Sequence, residues 1–198
     1  MVSKHTLVAV YAAMLAIANV AAVKVVSING WEFTAGVVPI AVAFLVSDVL
    51  VERHGEDTGH TAVWAGFSAL LITIAVTQLV LYLPGESVVN DVFGASLPIL
   101  LASLTTILLS QHTDVWLFAQ LKERLPYRPT RNIGSTVMSQ GVDTTVFSLL
   151  AFAILPAIVG GTTLPLSVIT TIVITEWLIK SGIAVMDTPV FILLTNDS

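Results

Sequence analysis

Six long apolar runs, separated by short polar punctuation, set the plan of the chain. They cover about residues 7–26, 34–51, 61–83, 97–121, 133–159 and 166–194. A helix rises about 1.5 Å per residue, so about 20 apolar residues cross the hydrocarbon core of a bilayer. The pattern predicts an all-α fold: an integral membrane bundle of six transmembrane helices, with residues 1–198 as a single transmembrane domain. The first run follows Lys4 and His5 and ends near Ala21 and Ala22, the outline of a signal peptide. Its length and the five runs behind it favour a retained helix. Pro39 falls early in the second run and predicts a kink or break there. Ala9 with Ala13, and Ala12 with Ala16, are small-residue pairs that would let another helix approach the first closely.

The charges between the runs give an orientation. Lys122, Arg124, Arg128 and Arg131 make the connection between runs four and five the most basic in the chain. With that connection in the cytoplasm, both termini and Arg53 lie there too, and six of the eight Lys and Arg residues are inside. The connections at 84–94 and 160–165 have none, so the positive-inside rule is met. Only Lys24 and Lys180 are left over. The expected location is the plasma membrane, crossed several times, with the lipid bilayer as a partner. The Arg124–Arg131 cluster is expected to set topology and to touch anionic lipid.

Composition narrows the function classes. With 56% hydrophobic and 11% charged residues, no room is left for a soluble catalytic domain. The mean hydropathy of +0.92 agrees. The chain has no Cys, which excludes disulfides, thiolate metal sites and cysteine nucleophiles. A net charge of −5 argues against nucleic acid as a partner.

Candidate chemistry lies in polar residues within the apolar runs. The pattern Ser-Gln-x-x-Asp-x-x-x-Phe occurs twice, as Ser110, Gln111, Asp114, Phe118 and as Ser139, Gln140, Asp143, Phe147. A Gln and an Asp three residues apart on a helix point in nearly the same direction. An acid at bilayer depth costs about 3 kcal/mol or more unless it faces protein, a partner or water. Two such pairs on neighbouring helices suggest a polar pocket. A carboxylate accepts two N–H donors while an amide donates to a carbonyl. That combination suits a guanine-like ring, with Phe118, Phe147 and Trp116 available for stacking. Polar side chains also bond membrane helices together without any ligand. Repetition of the whole pattern favours a site over that alternative. The copies run in opposite directions through the membrane, so they form an inverted pair.

In the sixth run, Glu176, Lys180 and Asp187 fall within about 40° of one another around the helix axis. Glu176 and Lys180 are spaced for an internal ion pair. Asp187 is a third ionisable group that such a pair does not need, which marks the stripe as functional. No catalytic residue is expected, since Ser135 and Ser139 lack a His–acid arrangement and no phosphate-binding glycine loop occurs. His54, His60 and His112 offer no tetrahedral ligand set, and His112 has only Asp114 near it in sequence. No metal and no cofactor are expected.

These residues resemble a known family. The second run carries Ala35-Gly36 with Pro39, then Ser47-Asp48, Glu52 and His54-Gly55. The fifth carries Arg131-Asn132, Ser135-Thr136 and Ser139-Gln140, followed by Asp143-Thr144 and Phe147. With the fourth-run repeat, Lys180 and Asp187-Thr188-Pro189, they resemble the queuosine-precursor transporters, long labelled vitamin uptake transporters. The resemblance implies uptake of 7-cyano-7-deazaguanine or 7-aminomethyl-7-deazaguanine for tRNA modification. The candidate substrate-binding residues are Gln111, Asp114, Gln140, Asp143, Thr144, Phe118, Phe147, Glu176, Lys180, Asp48 and Asp187.

A stand-alone carrier would bind this deazapurine near the midplane between helices four, five and six and work by alternating access. Glu176, Asp114 and Asp143 are candidates for proton coupling. The alternative is the substrate-binding membrane subunit of an energy-coupling-factor transporter, which needs an ATPase partner and docks through small residues. A membrane enzyme or a scaffold is a third reading, without a visible nucleophile for the one or a use for the acid stripe in the other. A homodimer is compatible with so small a bundle.

Overall fold

The computed structural model describes residues 3–21, 24–28, 31–84, 97–159 and 163–196. Among them six long helices form the body: α1 (Lys4–Ala21), α2 (Val37–His54), α3 (Glu56–Leu81), α4 (Leu97–Arg124), α5 (Arg128–Leu149) and α6 (Leu166–Thr195). A π-helical turn at Leu150–Ile154 and a short segment at Leu155–Val159 prolong α5. Between α1 and α2 stands an antiparallel hairpin, β1 (Val25–Ile28) and β2 (Trp31–Thr34), with Ile28 paired to Trp31. Three columns are long and apolar enough to cross a membrane, Glu56–Leu81, Arg128–Ile158 and Leu166–Thr195.

The six apolar runs reappear as helices with shifted ends. The first helix stops at Ala21, and the β-branched residues beyond it enter the hairpin. The second begins at Val37, which places Pro39 in its first turn. A proline there removes no helical hydrogen bond, so the expected break is absent. The third starts at Glu56, where Glu56 and Asp57 meet the positive end of the helix dipole. Gly55, at φ 85°, makes the turn between α2 and α3 in a conformation that a side chain would strain. The basic connection shrinks to residues 125–127, because Lys122 and Arg124 end α4 while Arg128 and Arg131 open α5. The connections at 84–94 and 160–165 lie largely outside the described residues.

Two packing groups meet along α2. In one, α1 lies against α2 and α3; in the other, α5 lies between α4 and α6. Tyr11 and Leu15 of α1, Val49 and Leu50 of α2, Val63 and Leu70 of α3, Val115 and Phe118 of α4 and Phe191 of α6 share one apolar core. The close approach to α1 falls on Gly66 of α3, where a Cβ would lie 2.5 Å from Leu15 Cδ1. Of the small-residue pairs on α1, Ala12 and Ala16 are half-buried, whereas Ala9 and Ala13 are exposed. The exterior is strongly apolar, with Ile72 and Leu79 of α3 and Met186 and Leu193 of α6 all more than 60% exposed. In water such a surface is costly at about 25 cal/mol per Å², and hydrocarbon removes that cost. Helix α5 is the reverse of an ordinary amphipathic helix. Its buried residues are Arg131, Asn132, Ser135, Thr136, Ser139, Gln140, Asp143, Thr144 and Ser148, all of them polar.

Candidate functional site

The buried stripe of α5 meets acids from three other helices, level by level. At its start, Glu52 of α2 gathers three cations: Arg131 Nη1 at 3.0 Å, Arg128 Nε at 3.6 Å and Lys122 Nζ at 3.9 Å. Lys122 also donates to the carbonyl of Val51 at 3.2 Å and to that of Glu52. Arg128 Nη1 donates to the Thr195 carbonyl at 2.7 Å. These cations satisfy carbonyls that helix ends leave open. The basic cluster, expected to contact anionic lipid, is in large part engaged with protein.

One turn further, the Asp48 carboxylate of α2 is wholly buried and accepts three hydrogen bonds from α5. Asn132 Nδ2 donates at 2.5 Å and Thr136 Oγ1 at 3.2 Å to Oδ2, and Ser135 Oγ donates at 3.4 Å to Oδ1. Thr188 of α6 closes the ring by donating to Asn132 Oδ1 at 3.2 Å. Asp48 therefore joins α2 to α5.

The two sequence repeats then pair reciprocally. Ser139 Oγ of the second copy donates to Asp114 Oδ1 of the first at 2.8 Å, and Ser110 Oγ of the first donates to Asp143 Oδ1 of the second at 2.9 Å. Antiparallel helices carrying the same motif satisfy each other here in this crosswise way. The inverted arrangement read from the sequence is thus built into the α4–α5 seam. The second oxygen of Asp143 accepts from Lys180 Nζ of α6 at 2.8 Å, and Lys180 also donates to Thr144 Oγ1 at 3.1 Å. Glu176 lies 3.8 Å from the same ammonium. Lys180 thus pairs across helices with Asp143 more closely than along its own helix with Glu176.

Four buried atoms among the candidate residues have no hydrogen-bond partner: Gln111 Nε2, Gln140 Oε1, Asp114 Oδ2 and Asp187 Oδ1. Gln111 is held at its other end, where its Oε1 accepts from the Tyr11 hydroxyl at 3.0 Å. A buried polar atom without a partner costs about 1–3 kcal/mol, so this seam is under-satisfied by several bonds.

The aromatic candidates separate. Phe118 is fully buried and sits edge-on to Phe191, with ring centres 5.8 Å apart, inside the apolar core. Phe147 meets Phe152 of its own column edge-on at 6.0 Å. Trp116 is 53% exposed and faces outward, away from any stacking role in the seam. His112 turns to His60 of α3 with the two Nδ1 atoms 2.7 Å apart, so its partner is this imidazole instead of Asp114. Tyr11 carries no signal in the sequence. Ser110, Asn132 and Glu52 stand in the motifs, but their partners Asp143, Asp48 and the basic cluster lie on other helices and are not legible there.

The family model described as "Putative vitamin uptake transporter" matches residues 34–194, which contain the whole stripe and every acid on it. A protein of Bacillus subtilis (strain 168) named "Probable queuosine precursor transporter" is 34% identical over 144 residues, covering 68% of this chain and 63% of the relative. The chain therefore spans less than two thirds of the curated relative it matches. No solved structure matches. On the extent of the family match and the identity to this relative, the chain belongs to the putative vitamin uptake transporters.

Proposed function

We propose that the chain is a stand-alone carrier importing a 7-deazaguanine precursor, 7-cyano-7-deazaguanine or 7-aminomethyl-7-deazaguanine. The observation that carries this reading is the pair of unpartnered amide atoms in the two repeats. Gln111 Nε2 is a buried donor and Gln140 Oε1 a buried acceptor, in adjoining turns of the α4–α5 seam. A deazaguanine ring presents the complement, a carbonyl beside N–H donors. Its N–H groups also suit the Asp143 carboxylate, with Thr144, Lys180 and Glu176 around it. Sharing that carboxylate with Lys180 gives the ligand something to loosen on binding, as a carrier needs. The name of the Bacillus subtilis relative supports the substrate class.

In this reading the chain makes six spans of the plasma membrane with both termini in the cytoplasm, and the seam lies within the bilayer. A homodimer is compatible with its size. Thermal-shift titration of the purified protein tests the substrate. Either precursor should raise the unfolding temperature, guanine less, and unrelated vitamins not at all. Gln111→Leu and Gln140→Leu should each abolish the shift. A folded protein that ignores both precursors would overturn the assignment.

A second reading, a substrate-binding subunit of an energy-coupling-factor transporter, draws support from the exposed Ala9 and Ala13 on α1, a small-residue face free to dock a coupling protein. Uptake by this chain alone in a host without a coupling module excludes it.

A further inference from the structure

Four carboxyls stand along the α5 stripe, and their partners divide them. Glu52 has three cations and Asp143 has Lys180. Asp48 and Asp114 have no cation at ion-pair distance among the described residues, although both are wholly buried. Asp114 Oδ2 receives no hydrogen bond. Asp48 accepts from Ser135 and Asp114 from Ser139, one turn apart on the same face of α5, which makes the two carboxyls neighbours along the stripe. Ionised carboxylates only accept. A bond between two of them exists only if one holds a proton.

We propose that Asp48 and Asp114 share a single proton and form the site through which a proton gradient drives this carrier. The proposal rests on the carrier reading above and adds its energy source. The groups facing the pair agree with it. From α1 comes Tyr11, a neutral phenol; from α6, Asp187, a third acid without an ion-pair cation among the described residues; from α5, only the hydroxyls and amide of Ser135, Thr136, Ser139 and Asn132. The cations on Glu52 stand one turn away on the cytoplasmic side of the proposed topology. Helix α3 brings His60, which meets His112 of α4.

The proton decides how α2 and α4 sit. With it, one carboxyl donates to the other and the helices stay together. Without it, two bare carboxylates repel across a medium of low dielectric and the helices part. Asp114 is one turn from Gln111 on the same face, so that parting moves the amide proposed to hold the substrate. Loading and release of one proton thereby open and close the seam. Asp143 does not share this role, because Lys180 neutralises it.

Reconstituted liposomes test the idea with labelled 7-cyano-7-deazaguanine and two measurements, counterflow without a gradient and accumulation under an inward proton gradient. The wild type should show both, with accumulation approaching about tenfold per pH unit for one proton carried per solute. A protonophore should abolish only the second. Asp48→Asn should lose the gain from the gradient, its uptake under the inward proton gradient falling to its own uptake without one. If it does not fold, infrared spectra of the wild type decide in its place. A protonated carboxyl band must be present at neutral pH and vanish in Asp114→Asn, and its absence would sink the shared proton. Wild-type counterflow without gradient-driven accumulation overturns the coupling and leaves the carrier standing. Accumulation undiminished in Asp48→Asn moves the coupling to another acid and overturns this site. Absence of counterflow in folded wild type overturns the carrier reading and this inference with it.

Discussion

Lys180 shows how a buried charge is tolerated. Its ammonium is met by Asp143 at 2.8 Å, by the Thr144 hydroxyl at 3.1 Å and by Glu176 at 3.8 Å. Removing one partner of a buried pair leaves the other uncompensated, at a cost of about 3–5 kcal/mol. Asp143→Asn should therefore lower stability by about that amount in denaturant unfolding in detergent. Replacing both members, with Lys180→Met and Asp143→Leu, should recover most of the loss while abolishing precursor binding. A purely structural pair would recover stability and leave binding untouched. The spacing of Glu176 and Lys180 predicts an ion pair along α6, and the two stand 3.8 Å apart. It could not show that the nearer carboxylate to Lys180 belongs to α5, 37 residues away in the chain.

Elements are joined by polar bonds on one side of the bundle and by close apolar packing on the other. The crosswise Ser110–Asp143 and Ser139–Asp114 bonds are equivalent halves of the α4–α5 seam. Ser110→Ala and Ser139→Ala should each cost about 1–2 kcal/mol, as expected for hydrogen bonds to charged or shared-proton carboxyls. Combined, they should depart from additivity, since both halves share one seam, and a double-mutant cycle of unfolding free energies measures this. On the apolar side, Gly66→Ala would press a methyl to 2.5 Å from Leu15 Cδ1 and 2.7 Å from Tyr11 Cε1. We expect a loss of about 1–3 kcal/mol from overpacking, read as a lower unfolding temperature. An unchanged temperature would mean that α1 gives way easily. The hairpin was legible in principle. Asn29 and Gly30 stand between the paired Ile28 and Trp31, and that dipeptide is a strong two-residue turn signal after a β-branched run. Reading the first apolar run through to Val26 hid it.

For the whole molecule, the proposed topology has a direct test, because the chain contains no Cys. Cysteines introduced at Tyr127, which is 66% exposed between α4 and α5, and at Thr163, exposed just before α6, lie at opposite ends of one column. In intact cells a membrane-impermeant maleimide should label Thr163→Cys, and label Tyr127→Cys only after the membrane is opened. Labelling of both in intact cells would refute cytoplasmic placement of the basic connection. Apolar length and charge placement in the sequence support this arrangement on their own, because both are read locally against the fixed thickness of a bilayer.

By itself the sequence determined six apolar runs, a repeated Ser-Gln-Asp motif and a set of acids within those runs. Helix period and bilayer thickness turn local spacing into faces and lengths, and nothing more is needed for those. Only the tertiary structure decided which acid meets which donor: Glu52 the cations, Asp143 the lysine and Ser110, Asp48 the amide and hydroxyls of α5, and Asp114 the Ser139 hydroxyl. Spacing along one helix sets an angle and a rise but is silent about the neighbouring helix. In an interior where an uncompensated charge is so costly, the neighbour determines what each carboxyl does.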